Sequence, residues 1–327
     1  MDIVRNYISL QIWSGIMNIE ELKSLQLKII KRNKICNLIG IIVIGIIMSI
    51  SIFVALSSGG ELFFCFVFLF IELIFSIIIL TITKNIVNGK DIKIFNKEFK
   101  NIFVLNSLRK FFENLAYNYE NGFSEEYIQN MGMLDTGDRF NSNDYISGTY
   151  KNIKFEQSDI CIEEKHEERD SDGNKEEVWD TIFEGRVMVF DFNKKFKSTM
   201  QVSTSYFSAT SLPSNKQFYN VKMEDIEFNK LFTIYAENEH DAFYILTPHF
   251  MQKIKDITRE LNCGVMFGFI DSRLYIAINN NEDSFEYNVF KPINEQEIEN
   301  NIVKEIKLIT SFVDELDLDN DLFKTEV

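Results

Sequence analysis

Three histidines, His166, His240 and His249, are the whole imidazole inventory of the chain, and two of them lie close to a run of acids. Glu237, Glu239, His240, Asp241 and His249 bring nitrogen and oxygen donors near one another in sequence. Those are the residue types required for a metal ion, or for a general base oriented by a carboxylate. If the chain is a hydrolase, His240, Asp241 and His249 are the residues that would carry the reaction. Their spacing matches no ligand pattern, however, and acids in the first turn of a helix favour the amide dipole without any chemistry. Asp170, Asp172 and Asn174 begin like a calcium loop. Lys175 then occupies the place of the required glycine and Thr181 that of the bidentate glutamate, so calcium is not expected. The chain has no GxxxxGK[ST], GxGxxG, HExxH or GxSxG motif. Cys36 and Cys65 fall in apolar runs, Cys161 and Cys263 stand far apart, and no CxxC occurs, so neither a disulfide framework nor a structural zinc site is signalled. No cofactor is expected, and an interaction or regulatory role is favoured over catalysis.

The elements around these residues change period along the chain. Tyr150 to Glu164, Glu177 to Phe192 and Thr199 to Ser205 alternate apolar with polar residues, and Asp172, Gly173 and Asn174 supply turn chemistry between the first two. A Ser- and Asn-rich stretch, 206–226, reads as a surface loop. A strand from Leu231 to Ala236 follows, then a helical segment with Ala242 to Leu246. Thr247 as N-cap and Pro248 in the first turn open another helix, which buries Met251, Ile254, Ile257 and Leu261. Val265 to Ile270 and Leu274 to Ile278 form a hairpin turning at Asp271 and Ser272. Asn294 and Glu297 cap a last helix, with Ile298, Ile302, Ile306, Ile309, Val313 and Leu316 in helical period. Strands and helices are grouped, which predicts an α+β fold with an antiparallel sheet.

Upstream, Asn18 and Glu21 form a capping-box pattern ahead of an amphipathic stretch, Ile19 to Lys31, with Leu22, Leu25 and Ile29 on one side. This stretch is expected to lie on a membrane surface or to pack on a soluble domain. Asn88 and Gly89 read as a break. Phe95, Phe99, Ile102, Leu108, Phe112, Leu115 and Tyr119 then predict one helix with a buried aromatic stripe.

Between these regions lie Ile35 to Leu56 and Leu62 to Ile82, two runs of about 20 residues with one carboxylate, Glu72, and no basic group. Each is long enough to cross a hydrocarbon core of about 30 Å. The short connection Ser57 to Glu61 requires a helical hairpin. A cleaved signal peptide is not expected, because the first apolar run starts too far in and no small-residue cleavage site follows. Lys28, Lys31, Arg32 and Lys34 precede the first run, and Lys84, Lys90, Lys93 and Lys97 follow the second, while the connection holds no cation. The positive-inside rule then puts both termini in the cytoplasm. The predicted organisation is a cytosolic amphipathic segment (1–34), a transmembrane hairpin (35–83), a helical connector (84–143) and a cytosolic α+β domain (144–327). Glu72 mid-span is costly if ionised and is expected to hydrogen-bond to Asn37 or a serine of the first span, or to a copy of itself; proton or ion conduction is the rival role. The net charge is −15, and residues 1–100 carry eleven basic and seven acidic side chains, leaving −19 for the remainder. Such acidity works against nucleic acid and anionic lipid.

Phe232 to Ile254 resembles the bacterial membrane-protein family Domain of Unknown Function 3137 (DUF3137). The likeness is carried by Tyr235, Glu239, Asp241, Ala242, Tyr244, Leu246, Thr247, Pro248, Phe250 and Met251, and upstream by Phe183, Gly185, Val187, Asp191, Lys194 and Phe196. It covers about residues 90–280, and Phe243 departs from it where an arginine is expected. The resemblance implies membrane spans near the N-terminus joined to a cytosolic domain of the bacterial inner membrane, and no established reaction. The expected partners are the bilayer and a protein partner or a second copy, with no nucleic acid. A membrane-bound hydrolase and a pleckstrin-homology-like lipid or ligand sensor are the alternatives.

Overall fold

A computed structural model describes residues 17–57, 62–169, 175–191, 198–205, 207, 210–316 and 318. The chain divides into two compact units, Met1–Val104 with Glu286–Ile298, and Leu105–Phe285 with Glu299–Val327.

The first unit is built on two long helices, α1 (Ile19–Ser57) and α2 (Leu62–Phe99). The capping box forms as its residue types require: Asn18 Oδ1 accepts from Glu21 N at 2.9 Å, and Glu21 Oε2 accepts from Asn18 N at 3.0 Å. The helices run antiparallel, because Arg32 pairs with Asp91, Ser51 Oγ donates to Glu72 Oε1 at 2.8 Å, and Gly40 lies against Leu80. A Cβ at Gly40 would come within 2.4 Å of Leu80, so the close approach there depends on glycine. The amphipathic stretch is continuous with the first apolar run in one 39-residue helix. Its Leu22 and Ile29 are buried, and Gln26 donates its side-chain amide to the carbonyls of Val289 and Lys291 at 2.9 and 2.6 Å. Phe99 stacks on Tyr287 with ring centroids 4.7 Å apart. No break occurs at Asn88 and Gly89; α2 runs through both. The predicted turn at 57–61 lies outside the described residues from Ser58 on.

The predicted aromatic helix ends earlier than its spacing suggests. A π-helical turn (Lys100–Leu105) and the short α3 (Asn106–Phe111) follow α2, and Phe112 is already extended. Leu115 lies in strand β1 (Glu113–Asn118), and Tyr119 lies just beyond it, so neither continues the helix. Asn114 at φ 50° cannot extend the helix, and β1 gains a ladder with the next strand.

Among the described residues, the second unit holds an antiparallel nine-stranded sheet in the order β1-β2-β3-β4-β9-β8-β5-β7-β6. Its further strands are β2 (Arg139–Tyr150), β3 (Ile153–Arg169), β4 (Lys175–Asp191), β5 (Met200–Thr204), β6 (Tyr219–Val221), β7 (Phe232–Ala236), β8 (Gly264–Ile270) and β9 (Arg273–Asn279). The α+β prediction holds. The run beginning at Tyr150 proves to be two strands, separated by Lys151 and Asn152 at φ 47° and 66°. The β8–β9 hairpin turns in the same way at Asp271 and Ser272, the predicted pair. The calcium-like tip and its turn, 170–174, lie outside the described residues, as do Lys194 and Phe196.

Four further helices are α4 (Glu125–Met131), α5 (Ile226–Leu231), α6 (Glu239–Ile245) and α7 (Pro248–Leu261), and α8 (Glu295–Glu315) closes the order. Thr247 Oγ1 accepts from Phe250 N at 3.3 Å with Pro248 in the first turn, as the sequence predicts. Alternation gives each sheet face its own core. Phe155, Phe190, Leu274 and Phe269 share one face; Phe190 meets Phe312 of α8 and Phe269 meets Phe250 of α7, at 6.2 and 6.0 Å. Val187, Val189, Met266 and Ala277 share the other, with Phe123, Ile128 and Met131 of the α4 region.

Candidate functional site

Strand pairing places an ionic centre inside the second unit. Strands β2 and β3 pair regularly up to Asn143 and Asp159 and resume at Ile146 and Gln157, so Asp144 and Tyr145 stand opposite Ser158 alone. This is a β-bulge, and Asp144 takes a left-handed φ of 51° within it. Across β3, Asp159 pairs with Arg186 of β4. Beside Arg186, Gly185 has φ 152°, and a Cβ there would lie 2.1 Å from the Ile278 carbonyl; only glycine lets β4 pass β9 here.

Asp144, Asp159 and Arg186 are each at most 3% exposed, which makes their pairing obligatory. Asp159 Oδ2 accepts from Ser284 N at 2.7 Å, and Oδ1 accepts from Ser284 Oγ at 3.0 Å and from Arg186 Nε at 3.4 Å. Arg186 also reaches Glu305 of α8, with Nη2 to Oε2 at 2.8 Å and Nη1 to the backbone carbonyl at 3.4 Å, and its guanidinium lies 5.5 Å from the Phe285 ring. Asp144 Oδ1 accepts from Tyr117 OH at 2.6 Å, and Asn143 Nδ2 bridges Asp144 and Asp283 at 3.1 and 3.2 Å. Burial pushes the Asp159 carboxyl from its ordinary 3.8 up to about 6, against the opposing pull of Arg186 and the Ser284 amide.

Oxygens of Asp144, Asp159 and Asp283 lie within 4.8 Å of one another, a donor set suited to a hard divalent cation. Each of the three already accepts a hydrogen bond from the protein, and Arg186 brings a fixed positive charge among them. The arrangement therefore works as an internal ionic clasp between β2, β3, β4, the segment after β9 and α8. A cleft of about 320 Å³ opens beside it, with Cys161, Glu184 and Glu282 in its wall. Burial first, then Glu184 and Glu163, push the Cys161 thiol above its ordinary value, which lowers its thiolate fraction. Burial pushes Cys263 to about 11 with the same consequence.

The structure distributes the sequence-predicted residues differently. His240 and His249 are both exposed, in the first turns of α6 and α7. Asp241 is half-buried and accepts from Ser198 Oγ, not from an imidazole. Among the described residues, the His, Cys, Asp and Glu side chains that converge to ligand distance in a group of three are Asp144, Asp159 and Asp283, outside the predicted set. Ala242, Leu246, Phe250 and Met251 are buried core, Tyr235 is half-buried on β7, and Tyr244 and Phe243 are about half exposed. Glu72 meets a serine of the first run, Ser51, while its Oε2 is buried with no hydrogen-bond partner among the described residues. Asp159, Arg186 and Asp283 were not singled out by sequence. Their signal was there: Asp159 and Arg186 are charges set among apolar strand residues, where alternation demands an inward side chain.

Residues 181–318 match a family described as Protein of unknown function (DUF3137). That bears out the resemblance. The matched span starts later than 90 and runs on through α8, so it includes Arg186, Asp283 and Glu305 of the clasp. No curated protein matches the chain. Among solved structures the chain is similar to the mycobacterial trehalose monomycolate transport factor A, TtfA, at 8% identity over 68% of this chain and 95% of that chain, with a TM-score of 0.34. That likeness is too remote to carry an argument.

Proposed function

We propose that the chain is an integral protein of the bacterial cytoplasmic membrane, with both termini cytoplasmic, and that its sheet unit is a protein-interaction or regulatory module. One observation carries this reading: the apolar windows of α1 and α2 are long enough to span a bilayer and none of their residues is buried within the protein. Leu38, Ile41, Phe70, Phe75 and Ile79 are each at least 60% exposed, and a continuous apolar surface of that extent belongs in lipid. Lysine-rich flanks at the outer ends of both helices support the orientation. No side chain is assigned a covalent step. The partners on this reading are the bilayer and a protein or a second copy. Membranes washed with alkaline carbonate should retain the full chain and release a variant lacking residues 35–83; release of the full chain would refute the anchor.

A further inference from the structure

Another cleft, of about 360 Å³, opens on the sheet face that carries Val187 and Val189, at the Lys154 end of β3. That volume falls within the ~300–1,000 Å³ of small-molecule sites. Strand register sets out its walls. Ser147, Glu156, Val189 and Tyr275 form one row across β2, β3, β4 and β9, and the next row places Thr149 opposite Lys154 and Asp191 opposite Arg273. On β1, Asn114 and Leu115 stand opposite Gly148 alone, a bulge in which Asn114 takes its left-handed φ of 50°. A bulge re-aims a side chain, and Asn114 joins the cleft wall.

This wall differs from that of the cleft beside the clasp. There the polar groups are taken up by the protein itself: Ser142 Oγ donates to the Asp159 carbonyl at 2.9 Å, and Asn143 Nδ2 bridges two carboxylates. Here, among the described residues, no hydrogen bond or ion pair engages the side chains of Asn114, Ser147, Thr149, Lys154 or Glu156. Asp191 and Arg273 have each other, Nε lying 3.7 Å from Oδ1. Lys154 and Glu156 are two residues apart on one face of β3, about 6.5 Å along the strand, and hold unlike charges over the same hollow without pairing. A metal ion would suit Glu156 alone and a simple anion Lys154 alone. A small molecule that carries both charges suits the two together.

We propose that this cleft binds a free α-amino acid. The ligand's carboxylate meets Lys154 and its ammonium meets Glu156, while the Ser147 and Thr149 hydroxyls and the Asn114 amide supply the remaining hydrogen bonds over the buried Val189. Such a site gives the sheet unit a metabolite to sense, and it stands whether or not the membrane reading does.

The test screens the full chain in neutral-detergent micelles against the common L-amino acids, one at a time, by thermal shift, and measures the affinity of each hit by equilibrium dialysis with the radiolabelled amino acid. At least one amino acid should raise the melting temperature, as a ligand of the native state must, whereas its N-acetyl and its amide derivatives should not. Lys154→Met and Glu156→Gln should each weaken binding about tenfold or more, with the ligand-free variants melting as the parent does, because neither side chain is engaged by the protein. Glu184→Gln, in the wall of the cleft beside the clasp, should weaken it less than about twofold. No thermal shift with any amino acid, equal binding of the N-acetyl or amide derivative, or equal weakening by Glu184→Gln would overturn the proposal.

Discussion

Glu72 of the hairpin and Asp159 of the sheet unit are carboxylates withdrawn from water by opposite means. Glu72 has one hydroxyl, from Ser51, and no cation among its described hydrogen bonds. Asp159 has a guanidinium, a backbone amide and a hydroxyl, and through Arg186 it is tied to α8. In the hairpin, two long helices follow from a local pattern, two apolar runs joined by a few residues. In the sheet unit, the clasp joins positions scattered from Asp144 to Glu305, and breaking it should cost far more than altering Glu72.

Replacing Arg186 by methionine keeps the volume but leaves Asp159 and Glu305 without their cation. The expected loss is about 3–5 kcal/mol in chemical denaturation of the solubilised chain; a loss below about 1 kcal/mol would show that the clasp is not central to the fold. Asp159→Asn sharpens the comparison through pH. The carboxyl titrates near 6 in the native chain and near 3.8 when unfolded, so between pH 4 and 6 the native state holds a proton that the unfolded state has released. The group therefore favours folding at pH 4, and that contribution is lost as pH rises through 6. The stability of the native chain relative to the Asn variant should fall by up to roughly 3 kcal/mol from pH 4 to pH 7; a constant difference would mean that Asp159 stays ionised throughout. Gly185→Ala forces a Cβ toward the Ile278 carbonyl and should cost about 1–3 kcal/mol, read as a lowered melting temperature. Thr247→Ala removes the α7 cap at a cost of about 1 kcal/mol, without affecting membrane retention. Smallest of all, Glu72→Gln should leave localisation and melting unchanged and could weaken self-association; loss of membrane retention would break the comparison.

What could be read from sequence follows the same division. The capping box at Asn18, the Thr247–Pro248 helix start, the Asp271–Ser272 turn and the apolar runs are set within a few residues, and each forms as its residue types require. Helical spacing failed at Leu115 and Tyr119, because β1 takes its ladder from a strand some thirty residues away. The turn at Lys151 and Asn152 carries no glycine, so the left-handed pair that splits one apparent strand into two gave little signal. Proximity in sequence did not put His240, Asp241 and His249 on one helix: the first two lie in the first turn of α6 and His249 in that of α7. The clasp was hidden for the converse reason: its acids and Arg186 meet only after β2, β3, β4 and α8 assemble.

The most direct test of the membrane account is protease access in intact cells bearing a cleavage site inserted between residues 57 and 61 and a tag after Val327. The account predicts cutting at the inserted site from outside, with the tag intact until the cells are opened. A tag digested in intact cells, or an insert that stays uncut while the chain purifies from the soluble fraction, would contradict it.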